Sequence, residues 1–159
     1  MTPPSFRDSD EFKRGQRGER LVAEIYKREG WHIIASYDFA GSDGEKAPRM
    51  IGERYSYVLP DLDASKGGVR LWVEVKTKKE PTFTYMTQRY EHGIPWRHFE
   101  DYKHVAAESG CEVWLAIYEE VSGDVLVQAL KKLETLVRWN DSPRMGKMAF
   151  FPRDAFDLW

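Results

Sequence analysis

Hydrophobic positions recur along the chain with two periods. Between Glu11 and Glu29, Leu21, Val22, Ile25, Tyr26, Phe12 and Ala23 share one arc at 100° per residue. Lys13, Arg17, Arg20, Lys27 and Arg28 lie opposite. This spacing predicts an amphipathic helix, capped by Asp10 and ended by Gly30. Glu24 falls on its wet side, but Glu19 falls inside the apolar arc. An acid on a core-facing stripe costs free energy unless something uses it, which makes Glu19 a candidate functional residue.

The second period is two. Val69 to Thr77 alternates cleanly, with Leu71, Val73 and Val75 on one face and Trp72, Glu74 and Lys76 on the other. Further strands are predicted over Trp31–Tyr37, Glu53–Leu59 (stopped by Pro60), Glu112–Tyr118, Val125–Ala129 and Lys147–Phe151. A helix is expected from Arg97 to Ser109, opened by Pro95-Trp96 and closed by Gly110, with a short one over Leu130–Trp139. Asp38 to Gly52 reads as a loop, Lys66-Gly67-Gly68 as a turn and Lys78 to Trp96 as an excursion from the core. Residues 1–9 are polar, carry two prolines and are expected to fray. Without repeats, low-complexity tracts or a linker, residues 1–159 read as one α/β domain, with 119–159 as a C-terminal extension of the core.

Composition narrows the class. A hydrophobic share of 42% and an aromatic share of 14% suit a chain that buries a core. No apolar run reaches the length of a membrane span, and Met1-Thr2-Pro3-Pro4-Ser5 lacks a signal-peptide core, so a cytoplasmic location without membrane partners is expected. Cys111 is the single cysteine, which excludes an intrachain disulfide and a cysteine zinc cluster; an inert core thiol is its expected role. A net charge of −2 argues against coating nucleic acid by charge alone, although cations gather locally at Lys66, Arg70, Lys76, Lys78 and Lys79.

Glu74 and Lys76 on one face of the strongest strand start roughly 6–7 Å apart. Asp61 follows Pro60 at the end of the preceding predicted strand. If the turn at Gly67-Gly68 makes these strands neighbours, Asp61 lands beside Glu74. Two hard carboxylates so placed suit Mg²⁺, and a lysine beside them can hold or deprotonate water and stabilise charge on a phosphate. Asp61 could otherwise start a turn, and Glu74 with Lys76 could be an ion pair on an open sheet. Asp63 is expected to be a turn residue, with metal ligation in place of Asp61 as its alternative.

Pro60-Asp61, twelve residues, then Glu74-Val75-Lys76 resembles the signature of the PD-(D/E)XK nuclease superfamily. The resemblance extends from about Glu11 to Tyr118. It implies a restriction-endonuclease-like core, αβββαβ, with a mixed central β-sheet flanked by helices. It also implies Asp61, Glu74 and the Val75 carbonyl as metal ligands, Glu19 as an accessory ligand and Lys76 as the catalytic lysine. The metal would be Mg²⁺, with Mn²⁺ able to substitute, and the substrate DNA. Some family members carry Gln-x-x-x-Tyr on the helix after the lysine. Here His98-Phe99-Glu100-Asp101-Tyr102 keeps the spacing with a different first residue, and a phosphate- or water-binding role would fall to His98 and Tyr102.

Lys78 and Lys79 either touch phosphates or merely solvate a strand end. The aromatics from Phe83 to Trp96 stack on bases, form a dimer contact or fill the core, the last being the commonest fate of such residues. His98 and His104 lie about 240° apart on a helix and cannot share a zinc ion, and exposed or capping roles are expected for His92 and His104. The function expected is Mg²⁺-dependent hydrolysis of DNA directed by structure or ends, in repair, recombination or phage DNA processing. A homodimer would suit two-strand cleavage. The alternatives are a catalytically silent nucleic-acid-binding module of the same fold and a nuclease acting on RNA.

Overall fold

The amphipathic first segment forms α1 (Asp10–Arg28), and Ser9 rather than Asp10 is its cap, its hydroxyl accepting from the Phe12 N–H at 3.2 Å. The computed structural model describes residues 9–35 and 48–159. After α1 come β1 (His32–Ala35), β2 (Arg49–Ile51), β3 (Ser56–Val58), β4 (Leu62–Lys66), β5 (Val69–Lys78), β6 (Thr82–Thr84) and β7 (Arg89–Pro95). Then follow α2 (Trp96–Ser109), β8 (Glu112–Glu119), β9 (Val125–Ala129), α3 (Leu130–Leu133), β10 (Arg138–Ser142), β11 (Gly146–Pro152) and β12 (Asp157–Leu158). The frayed start expected over residues 1–9 and the last predicted residues of the first strand fall largely outside the described residues.

The main sheet runs β1-β4-β5-β8-β9-β12. Only β5 and β8 pair in parallel, because α2 carries the chain back between them; the other neighbours are antiparallel. Alternation along β5 sorts its side chains between two cores. Leu71, Val73 and Val75 pack with Val22 and Tyr26 of α1, whereas Trp72 joins Phe99, Tyr102 and Val105 of α2. The mixed sheet flanked by helices is therefore the α/β architecture expected.

Four sequence expectations need correction. The strand that pairs with β5 is β4, which begins after Asp61; the predicted Glu53–Leu59 strand shrinks to β3 and pairs with β2 in a separate ribbon. Asp63 is not a turn residue. It lies in β4 opposite Trp72 and is held by Arg70 at 2.5 Å. The Lys78–Trp96 excursion forms β6 and β7 of a second sheet, β10-β11-β7-β6. The predicted Leu130–Trp139 helix stops at Leu133, since Arg138 onward pairs with β11 instead.

The second sheet docks on the main one through polar groups. His92 of β7 lies 2.6 Å from the Glu119 carboxylate at the end of β8, both 2% exposed. His92 is thus neither exposed nor capping. Burial, opposed by Glu119, holds the imidazole below its ordinary range, so near neutral pH it is an N–H donor rather than a cation. Arg153 closes the cluster, donating to Glu119 at 2.8 Å and to Asp124 at 2.9 Å.

Candidate active site

β5 keeps its β8 partner over Leu71–Lys78, but β4 pairs with it only as far as Leu62 opposite Val73. Extending that register by one residue sets Asp61 opposite Glu74, on the face that carries Trp72. Beyond this point the chain leaves the ladder, and the Asp61 carboxylate takes over its hydrogen bonding by accepting from the Val75 N–H at 2.8 Å. The Val75 carbonyl shares that edge of the strand. Directly opposed residues have Cβ atoms about 4.5–5.5 Å apart, and like charges at that spacing repel. Both carboxylates are buried, Asp61 at 6% exposure and Glu74 at 2%.

Lys76 offsets part of this repulsion by pairing with Glu74 at 2.5 Å. Burial alone would lower its ammonium, but Glu74, Asp61 and Glu19 outweigh burial and raise it. Lys76 is therefore a firmly protonated donor. Glu19 approaches from α1. Burial, then the charges of Asp61 and Glu74, pushes its carboxyl up to about 8. Three carboxyl groups thus converge on one ammonium.

Glu19 is positioned by its neighbour. Gly18 lies against Thr77 of β5 so closely that an added Cβ would sit 1.9 Å from Thr77 Oγ1 and 3.3 Å from its Cβ. With so short a contact, Gly18→Ala is expected to cost the upper part of the overpacking range, about 2–3 kcal/mol, against about 1 kcal/mol gained in helix propensity. The net expectation is a loss of about 1–2 kcal/mol in urea unfolding, relieved by adding Thr77→Ala. A variant as stable as the parent would refute this close packing. Thr77 was not singled out in the sequence, and its only signal is its proximity to the Glu74–Lys76 pair.

Around this centre, Lys78 is partly buried, and its ammonium is lowered by burial, then by Lys76 and Arg14. Lys79 is exposed. His98, in the first turn of α2, is pushed down to about 4 by burial and then by Lys76, and its Nδ1 is buried without a hydrogen-bond partner. Tyr102 is only 2% exposed and belongs to the α2 core, with its ring 6.1 Å from that of His98. A cleft of about 310 Å³ leads to Glu19 between α1 and the sheet, lined among others by Arg20, Ala23, Ile33 and Leu62.

Among the described residues, no three His, Cys, Asp or Glu side chains are already gathered to hold a metal ion. Asp61 is engaged with the Val75 N–H and Glu74 with Lys76. The donor set still fits a hard dication. It offers carboxylate oxygens from Asp61, Glu74 and Glu19 around a single ammonium, and Glu19 is raised first by burial and then by the charges of the other two.

Protonation of Glu19 has a consequence for stability. Between about pH 4.5 and 8 the folded chain holds a proton there that the unfolded chain has released, so this stabilisation fades as pH rises. His98 has the opposite slope, but only from about 4 to its ordinary 6.5. From pH 6.5 to 8, metal-free protein is therefore expected to lose at most about 2 kcal/mol through Glu19, and Glu19→Gln to flatten that slope. Urea titrations in EDTA at the two ends of this range measure it. An identical slope in the variant would remove Glu19 as the cause.

No protein-family model and no curated protein matches the sequence. Solved structures do. Hjc, a Holliday junction resolvase from Archaeoglobus fulgidus, superimposes with a TM-score of 0.56 at 17% identity, over 90% of this chain and 87% of its own. D212, a nuclease from a fusselovirus, gives a TM-score of 0.50 at 9% identity, over 99% of this chain and 90% of its own. At such identities the likeness concerns the fold. This chain has the restriction-endonuclease-like fold.

Proposed function

Because the chain has the restriction-endonuclease-like fold, we propose that it is a Mg²⁺-dependent nuclease hydrolysing DNA phosphodiesters by direct attack of water. The observation that carries this reading is the buried Asp61 carboxylate on the Val75 N–H next to Glu74, with Lys76 and Glu19 converging on the same spot. Asp61 and Glu74, with Glu19 and the Val75 carbonyl beside them, would hold the metal. Bound there, it would acidify a water and neutralise charge on the scissile phosphate.

The chain's own groups supply the rest. Lys76 stays charged, which suits it to hold a water and stabilise the oxygens of the pentavalent state rather than to take up a proton. The nearly dry setting of Glu74 strengthens that interaction. Lys78 and Lys79, at the exit of the same strand, are placed to contact the phosphates that follow. A role in repair, recombination or phage DNA processing would suit a nuclease with this site.

Incubation with plasmid, linear, branched and single-stranded DNA, and with RNA, in Mg²⁺, Mn²⁺ or EDTA tests the proposal. Cleavage of DNA in either metal and none in EDTA is expected. No cleavage of any substrate would leave a nucleic-acid-binding module of this fold, and cleavage of RNA alone would replace the substrate.

A further inference from the structure

The β6–β7 hairpin leaves β5 just beyond Lys78 and Lys79. Its aromatic side chains do not fill the core. Phe83, Tyr85 and Tyr90 are 38%, 82% and 56% exposed, and Met86 beside them is 76% exposed. They are gathered rather than scattered. The Phe83 ring meets Tyr85 at 5.2 Å and 87° and Tyr90 at 5.2 Å and 67°, so one edge-to-face cluster stands in solvent.

Strand pairing aims part of this cluster. Phe83 is opposite Tyr90, and both therefore lie on the side of the second sheet that carries His92 and Ile94 toward the core. The rings continue that core-facing side past its edge. From Lys76 to Phe83 the chain runs about seven residues, at most about 23 Å of extended strand. That distance spans no more than about seven stacked nucleotides at 3.4 Å each.

Charge selects the occupant. From Lys78 to Tyr90 one acid, Glu80, stands against three cations, Lys78, Lys79 and Arg89. Lys78, partly buried, also has Lys76 and Arg14 crowding it, although Arg14 pairs with Glu120. A second copy docked about a twofold axis would set this patch against itself, cation facing cation. A polyanion relieves the crowding. A fully paired duplex, however, keeps its base faces stacked and offers these rings nothing to lie on.

Resting on the nuclease reading, we infer that the β6–β7 hairpin is a stacking platform for unpaired bases beside the cleavage site. The substrate class is then DNA with a single-stranded or unstacked stretch within a few nucleotides of the scissile bond. Phe83 braces the rings of Tyr85 and Tyr90, and Lys78, Lys79 and Arg89 track the backbone.

The test is binding in EDTA, where no cleavage intervenes, to oligonucleotides of equal length that are fully paired or carry a central unpaired stretch. Wild-type protein is expected to bind the unpaired form about tenfold tighter or more. A Tyr85→Ala, Tyr90→Ala double variant is expected to lose that preference. Both rings are exposed, and circular dichroism checks that the fold is kept. Equal affinity for the two forms in wild type, or a preference that survives in the variant, overturns the inference. So does a variant that changes oligomeric state while binding DNA as before. The nuclease reading fails by a different result, the absence of cleavage in metal.

Discussion

Asp61→Asn and Lys76→Ala are each expected to lower metal-supported DNA cleavage by about 10²–10⁴-fold. The two variants remove different things. Asparagine keeps the size of Asp61 and an oxygen that can accept from the Val75 N–H, so the edge of β5 stays closed. It discards a charge that faces Glu74 and helps push Glu19 up to about 8. Asp61→Asn should therefore lose activity while gaining stability at pH 8 in EDTA, a combination that a merely structural aspartate would not show. Lys76→Ala removes the ammonium paired with Glu74, a carboxylate that is 2% exposed. It should lose both activity and stability, because Glu74 is left buried without its ion-pair partner. Cleavage rates measured at saturating Mg²⁺ beside urea midpoints in EDTA separate these effects. Rates within about threefold of wild type in either variant would remove these residues from the reaction.

The second large effect belongs to the joint between the sheets. Glu119→Ala is expected to destabilise the fold by about 3 kcal/mol. Burial by itself would raise the Glu119 carboxyl, but hydrogen bonds from Arg153, His92 and Ser122 reverse this and hold it below the ordinary carboxylate range. Alanine leaves the His92 N–H buried with nothing to donate to, while Arg153 keeps Asp124. Glu119→Gln preserves volume and an acceptor, so it should cost about half as much or less. The reading is a shift of the urea midpoint at unchanged slope. A loss under about 1 kcal/mol for the alanine variant would show that apolar packing of Phe151 and Ile94 joins the sheets unaided.

Side chains whose neighbours lie close in sequence were legible from the start. Glu74 and Lys76 share a face because a strand alternates, and Glu19 breaks the apolar arc because a helix turns every 3.6 residues. Neither inference needs a partner elsewhere in the chain. Asp61 did need one. Leu62-Asp63-Ala64-Ser65-Lys66 offers two short apolar positions among polar ones and reads as a turn. It becomes β4 because Leu62 and Ala64 find Val22 and Tyr26 of α1 across the sheet. The same holds for Arg138–Ser142, whose strand exists through its pairing with β11.

Burial of polar groups was the least legible feature. His92 looked like a surface residue because its acceptor lies 27 positions away on another sheet. The aromatics of β6 and β7 looked like core residues because composition records apolarity and not where an edge ends. By itself, then, the sequence determined α1, the alternation of β5, the helix–strand pair α2–β8, and the placement of Glu19, Glu74 and Lys76 on their elements, while Asp61 was named only through an assumed strand pairing and the family resemblance. Only the tertiary structure decided that Asp61 stands opposite Glu74, that a second sheet is clasped by His92 and Glu119, and that an aromatic hairpin is left in solvent. The physical reason is common to all three. Periodicity is written within a few residues, whereas strand partners and sheet edges are set by segments far apart in the chain.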